Sequence, residues 1–271
     1  MATFRGDCHV HSLKSHGGEM TPAAIVAEAR AAGLDFLAVT EHDAAADLAE
    51  WSGLLIIPGQ EVITPDGHWL ALGLPPGVVV REVTEARRHG ALCVAAHPFA
   101  PYPGGTLRLP LDDFDAIEVW NGRWRSDLPW NADNEAALSL WHDHPRLPAI
   151  GNSDVHLPGQ IGAPQLVISA PVLTAGSVLS AIRSGACWIA GSADINLTFT
   201  PAAVRVTGAP SAVVTIRTDR GVLLRETLPA SGDGVVSLPV SVRTPIRVEV
   251  RHPDGTMAAL TNRIGALLLS D

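Results

Sequence analysis

The chain has 271 residues and a mass of 28.5 kDa, enough for one large domain or a mid-sized domain with a small partner. Hydrophobic residues make up 46% and charged residues 17%, which excludes a disordered chain, and no apolar run approaches the roughly 20 residues of a membrane-spanning helix. A net charge of −9, with no cluster among the 19 basic residues, argues against nucleic acid and against an anionic membrane as partners.

The cysteines Cys8, Cys93 and Cys187 are odd in number and widely spaced, so no disulfide framework is expected. Polar sequence begins by Arg5, unlike a signal peptide, and a cytoplasmic location is the expectation. Lys14 is the only lysine, and ten of the 11 histidines precede residue 157. That asymmetry points to a histidine-dependent site in the first part and to something else in the last.

In chain order, strands are expected at Arg5–His11, Asp35–Thr40, Leu54–Ile57, His68–Leu74, Leu92–Ala96, Ala116–Trp120 and Ala149–Asn152. A helix follows the first strand, with Thr21 as N-cap, Pro22 at its first position and Gly33 closing it. Further helices are expected at Val83–His89, at Asn131–His144 with Pro145 as its stop, and at Ala175–Gly185. Strands alternating with helices imply a parallel sheet with covered faces, and about seven of them favour a closed or nearly closed α/β barrel. From about Ile195 the pattern becomes β-rich. Runs at Val204–Val206, Ala212–Arg217, Gly234–Leu238 and Ile246–Arg251, broken by turn signals, predict a small antiparallel β module. The expected division is 1–190 and 191–271.

Asp7-Cys8-His9-Val10-His11 carries the strongest local signal. Side chains alternate along a strand, so Asp7, His9 and His11 share a face, with the two imidazoles about 7 Å apart and within reach of one metal ion. Polar groups recur at other strand ends: Glu41-His42-Asp43, Glu61, His97 and Asn152-Ser153-Asp154-Val155-His156, while His68 opens its strand. In an α/β barrel such ends meet at the active-site mouth. Converging imidazoles and carboxylates cannot all be buried without partners, and metal ions are the natural ones. Imidazole and carboxylate without thiolate favour Zn, Fe or Mn, and the number of ligands exceeds what a single tetrahedral ion takes.

These segments, with Ser15-His-Gly-Gly-Glu-Met-Thr-Pro22, Gly33–Asp43 and Ala96-His-Pro98, resemble the PHP (polymerase and histidinol phosphatase) superfamily. Ile57–Thr64, Gly67–Gly73, Ile117–Gly122 and the tail segments Arg247–Arg251 and Ala258–Asn262 are similar, more narrowly, to the CehA/McbA branch. The resemblance spans essentially the whole chain, and its metal motifs are more specific than its tail. It implies a distorted (β/α)7 barrel with a small C-terminal antiparallel β module and a di- or trinuclear centre. One ion would be held by His9, His11, Glu61 and Asp154, and a second would share Glu61 and add His68 and His97. The third would use His42, His156 and His16, where the family usually has Asp; an imidazole there still coordinates but brings no negative charge.

The implied chemistry is metal-assisted ester hydrolysis by a metal-bridged hydroxide, with two or three divalent ions of Mn, Zn or Fe. Asp7 and Asp43 fit as partners orienting the ligating imidazoles, and with His16 and His156 they complete the candidate catalytic set. Asn121, Arg123 and Arg125, interleaved with Trp120, Trp124, Trp130 and Trp141, form either a pocket edge with an arginine clamp for an anionic group or a loop packed on the barrel. Glu118 either faces the site or pairs with a nearby arginine. His142 and His144, two apart on a helix, do not share a face and are set aside.

The leading expectation is a phosphoesterase acting on a small-molecule ester. A carbamate or carboxylic ester hydrolase of the CehA/McbA type is the runner-up, and a non-catalytic metal-binding module the third reading. An amidohydrolase barrel bridged by a carboxylated lysine is excluded, because Lys14 lies just after the first strand. Whether the β module caps the barrel or forms a homo-oligomer interface stays open.

Overall fold

In the computed structural model, which describes residues 2–144, 146–239 and 244–265, Thr21 accepts a hydrogen bond from Ala24 N and starts helix α1 (Pro22–Ala31). Gly33 follows it with a left-handed φ of 75°. The chain divides into two compact units, Met1–Cys187 and Trp188–Asp271.

The first unit contains strands β1 (Ala2–Val10), β2 (Phe36–Val39), β3 (Leu55–Thr64), β4 (Gly67–Leu72), β5 (Leu92–Ala95), β6 (Ala116–Asn121), β7 (Ala149–Asn152) and β8 (Gln165–Ala170). Helices α2 (Val83–Arg88), α3 (Asn134–Asp143) and α4 (Ala175–Ser184) join α1. This is a mixed α/β fold, rich in sheet. The strand order is β8-β1-β2-β3-β4-β5-β6-β7. β1, β2 and β3 run parallel, as do β5, β6 and β7, but β4 is antiparallel to both β3 and β5, and β8 is antiparallel to β1.

The expected all-parallel sheet is thus corrected to a mixed one. β3 does not stop at Ile57; it continues to Thr64 and turns directly into β4 through Pro65 and Asp66, with Gly67 at φ 113°. So short a turn can only join antiparallel neighbours. β8, whose Leu166, Val167 and Ile168 are fully buried, is absent from the expected elements. Among the strands of this unit, β8 and β7 are the first and last in the order. A parallel bridge between Val10 and Val155, with His11 N donating to Val155 O at 3.2 Å, links β1 to the segment after β7.

β2 is buried on both faces. Phe36 and Ala38 pack with Cys8, Ile57, Leu70 and Leu92 and with α4, while Leu37 and Val39 pack with Ile25, Val26 and Ala29 of α1. α3 begins at Asn134, three residues later than expected, because the Asp133 carboxylate takes the Ala136 N–H. Asn134 ties the helix to β6, accepting from Asn121 N and donating to Asn121 O. Pro145, the expected stop of this helix, lies outside the described residues.

In the second unit, β9 (Cys187–Ala190), β12 (Val213–Thr218), β13 (Gly221–Thr227), β15 (Arg247–Arg251) and β16 (Met257–Thr261) form an antiparallel sheet ordered β13-β12-β15-β16-β9. β10 (Asn196–Thr200), β11 (Ala203–Thr207) and β14 (Gly234–Ser237) form a second, three-stranded one. Among the described residues no helix is long and apolar enough to cross a membrane.

Candidate metal centre

Glu61 is the hub of the site. Its Oε2 lies 3.3 Å from His9 Nε2, 3.3 Å from His11 Nε2 and 3.1 Å from His42 Nε2. Its Oε1 lies 2.9 Å from His68 Nδ1 and 3.0 Å from His97 Nε2. The extension of β3 beyond Pro58 brings it there: the first half of the strand pairs with β2, the second with β4, and Glu61 lies just past the change, opposite Leu70. Asp154 closes the opposite side, with Oδ1 3.3 Å from His9 Nε2 and 3.2 Å from His11 Nε2.

The surrounding hydrogen bonds fix which ring nitrogen carries a proton. Ser15 Oγ donates to Glu41 Oε2 at 2.5 Å and accepts from His42 N at 2.9 Å. Its proton is committed, so at 3.1 Å it accepts from His11 Nδ1–H. His9 Nδ1 faces Glu118 at 3.2 Å. Glu118 also accepts from Asn152 Nδ2, His97 N and Asn121 Nδ2, so it takes the His9 Nδ1 proton as an ionised acceptor. His156 Nδ1 lies 2.9 Å from the Asp154 carbonyl, which only accepts. Each ring therefore turns its Nδ1–H away from the centre and its Nε2 into it.

The Nε2 atoms of His9 and His11 face carboxylate oxygens. His9 Nε2, His11 Nε2 and Asp154 Oδ1 are buried and make no hydrogen bond. Donor atoms within 4.8 Å of one another form three groups: His9, His11 and Asp154; His9, Glu61 and His97; His11, His42 and His156. Buried acceptors in this arrangement need a cation, and all-nitrogen-and-oxygen donors suit a divalent ion of the Zn, Fe or Mn kind. The residues fit the metals that the resemblance implies.

The carboxylates call for positive charge at the centre, supplied by protons on the imidazoles or by a metal ion in their place. Burial opposes charge on His9, yet Asp154, Glu118 and Glu61 lift its pKa well above the ordinary imidazole range. Burial likewise opposes the Glu61 carboxylate, but His9, His11, His42 and His68 hold it well below the usual range. Asp154 is also held well below, against burial, chiefly by His9 and His11. Three non-glycine residues at the site have positive φ: Asp43 at 47°, His97 at 22° and Asp154 at 51°. Such backbone persists where its surroundings over-determine it.

Asp7 does not touch an imidazole. It accepts from His9 N and from Ser153 N, anchoring the backbone that presents Asp154, and burial raises its pKa to about 6. Asp43 is exposed and accepts from Ile63 N, two residues past Glu61. The imidazole-orienting contacts belong instead to Glu118 for His9 and to Ser15 for His11. His16 is exposed and joins none of the three donor groups; His11 stands with His42 and His156 in its place. Asn121 donates to Glu118 and to Asp154, 3.2 Å away, so its amide is engaged within the centre.

Arg123 and Arg125 lie exposed after β6. Trp120, Trp124 and Trp141 are buried, with indole N–H groups bound to Gly122 O, Glu135 and Leu147 O, while Trp130 is exposed. Glu41 and Asn152 stand in the strand-end motifs read from the sequence without an assigned role, and Ser12, Ser15 and Tyr102 have none there. The Ser-x-x-Ser spacing after His11 is the available signal for the two serines.

A PHP-associated family model matches residues 131–187. A two-domain protein of Bacteroides vulgatus, described as containing a predicted PHP-like metal-dependent phosphoesterase, shares the fold with a TM-score of 0.59 and 19% identity over 97% of this chain and 95% of its own. The lesion-specific endonuclease EndoQ of Pyrococcus furiosus aligns with a TM-score of 0.52 and 20% identity, over 74% of this chain and 62% of its own. At these identities the likeness is one of fold. No curated protein sequence matches the chain, and neither comparison reaches the CehA/McbA branch. The resemblance to the PHP superfamily is borne out by the family match over residues 131–187 and by the shared fold.

Proposed function

We propose that the chain is a metal-dependent hydrolase of small-molecule esters, acting as a phosphoesterase with two or three divalent ions of Mn, Zn or Fe. The observation that carries this is Glu61 among five imidazoles, beside buried Nε2 and carboxylate lone pairs that make no hydrogen bond. His9, His11, Glu61 and Asp154 would hold one ion, Glu61, His68 and His97 a second, and His42 and His156, with His11, a third. When bound, such ions supply Lewis acidity, lowering the pKa of water and drawing charge from the ester oxygen.

The chain's own part is to hold these donors in one protonation state. Glu118 and Ser15 keep the Nδ1 protons of His9 and His11 away from the centre. His42, His156 and Asp154 retain side-chain exposures of 23%, 24% and 19%, so the centre opens to substrate on their side. His9, His11 and Glu61 form its closed floor. The distorted barrel belongs to this reading too, with the Val10–Val155 bridge as its seam. The buried tryptophans favour packing over an aromatic pocket, which weighs against the carbamate alternative.

The test compares kcat/KM of metal-reconstituted protein on p-nitrophenyl phosphate and on 1-naphthyl N-methylcarbamate. A ratio well above one supports the phosphoesterase; a ratio well below one replaces it with a carbamate hydrolase. No turnover of either ester removes the hydrolase reading.

A further inference from the structure

Tyr102 is the only tyrosine in the chain. Its hydroxyl lies 3.5 Å from His97 Nε2, the atom that faces Glu61 Oε1 at 3.0 Å. Its ring centroid lies 5.6 Å from that of His68 and 6.1 Å from that of His97. The phenol therefore borders the half of the centre built on Glu61 Oε1. A contact of 3.5 Å is at the outer limit of a hydrogen bond, so it does not commit the hydroxyl proton.

The segment carrying this ring is tightly built. Ala100 N donates to His97 O at 2.9 Å, Gly105 N to Tyr102 O at 2.9 Å and Leu107 N to Pro98 O at 3.0 Å. Phe99 pairs with Thr106 across the loop. A Cβ on Gly105 would lie 2.5 Å from Tyr102 Cε2, so the ring lies directly against bare backbone. These contacts fix the aromatic body and would be served equally by phenylalanine. The hydroxyl is the part they leave unexplained, and it is held at the edge of a centre suited to oxyanion chemistry.

We propose that Tyr102 donates its O–H to a non-bridging oxygen of the bound ester, stabilising the negative charge that develops there. This deepens the hydrolase reading and rests on it. A pre-positioned donor of this kind acts without reorganising as charge appears.

The test is Tyr102→Phe, which keeps the ring. Metal per chain is measured first, then kcat/KM on p-nitrophenyl phosphate. Unchanged metal with kcat/KM lowered about 10²-fold is the expected result for one lost oxyanion donor. Activity within about twofold of the parent, or loss of a metal equivalent, overturns the proposal. If the parent hydrolyses no ester, the functional reading fails by itself, and calorimetric binding of inorganic phosphate decides Tyr102 separately. Roughly tenfold weaker phosphate binding by the variant, about 1.4 kcal/mol, supports the donor; equal affinity overturns it.

Discussion

Glu118 and His9 form a fully buried pair, with Glu118 Oε1 3.2 Å from His9 Nδ1. The carboxylate reaches across from β6 to β1, and its other oxygen accepts from the backbone N–H of His97. One side chain thus sets the tautomer of one candidate ligand and the backbone position of another. Replacing it by glutamine preserves shape but sets an amide N–H against donors. Glu118→Gln should weaken metal binding about 10–100-fold while the protein stays folded, as a chelator competition titration would show. Affinity within twofold of the parent would remove this role.

Glu61→Gln removes the charge on which five imidazoles converge. The expected outcome is loss of about one metal equivalent or more per chain, with loss of hydrolytic activity. Elemental analysis of the purified variant checks it. Full metal with full activity would overturn the bridging assignment.

Gly6→Ala addresses packing under the site. A Cβ at Gly6 would lie 2.3 Å from the Phe36 ring, which is fully buried and would have to shift. The variant should lose about 1–3 kcal/mol of unfolding free energy in urea. A midpoint equal to the parent's would mean the ring repacks freely.

The thiols provide a pH prediction. Burial, aided by Asp115, pushes the Cys93 thiol up to about 12, and burial lifts Cys8 well above its usual range. A folded-state pKa above the unfolded value means the protonated thiol adds stability. That contribution is complete below about pH 9 and is lost as pH rises towards 12. At pH 8 the native protein should therefore react with Ellman's reagent only as fast as it unfolds. Rapid titration of one thiol per chain under native conditions would contradict the burial of Cys8, Cys93 and Cys187.

Several features of the site are readable in the sequence because they obey local rules. His9 and His11 share a face by strand alternation, and Thr21, Pro22 and Gly33 mark α1 by capping chemistry. Glu118 is only half readable, because its partner His9 is 109 residues away. The Ser15–Glu41–His42 connection likewise depends on the crossover that lays β2 beside β1. Pro58-Gly59 reads as a strand end, yet the structure uses it as the place where β3 changes neighbours, which made a parallel sheet the natural expectation. His16 stands the other way round. Its place in the motif suggests a ligand, but the turn directs Ser15 inward and leaves His16 exposed.

The positive φ angles of His97 and Asp154 have a consequence for metal exchange. Their turns are held by the Glu118 and Asp7 carboxylates, through hydrogen bonds to His97 N and Ser153 N, and both partners of each bond are protein groups. Support of this kind does not pass through a metal, so removing an ion should leave both turns in place. Chelator-stripped protein should keep its circular dichroism spectrum and accept Mn, Zn or Fe in turn. On that outcome the fold would set the shape of the socket, and the supply of ions around the protein would decide which one fills it.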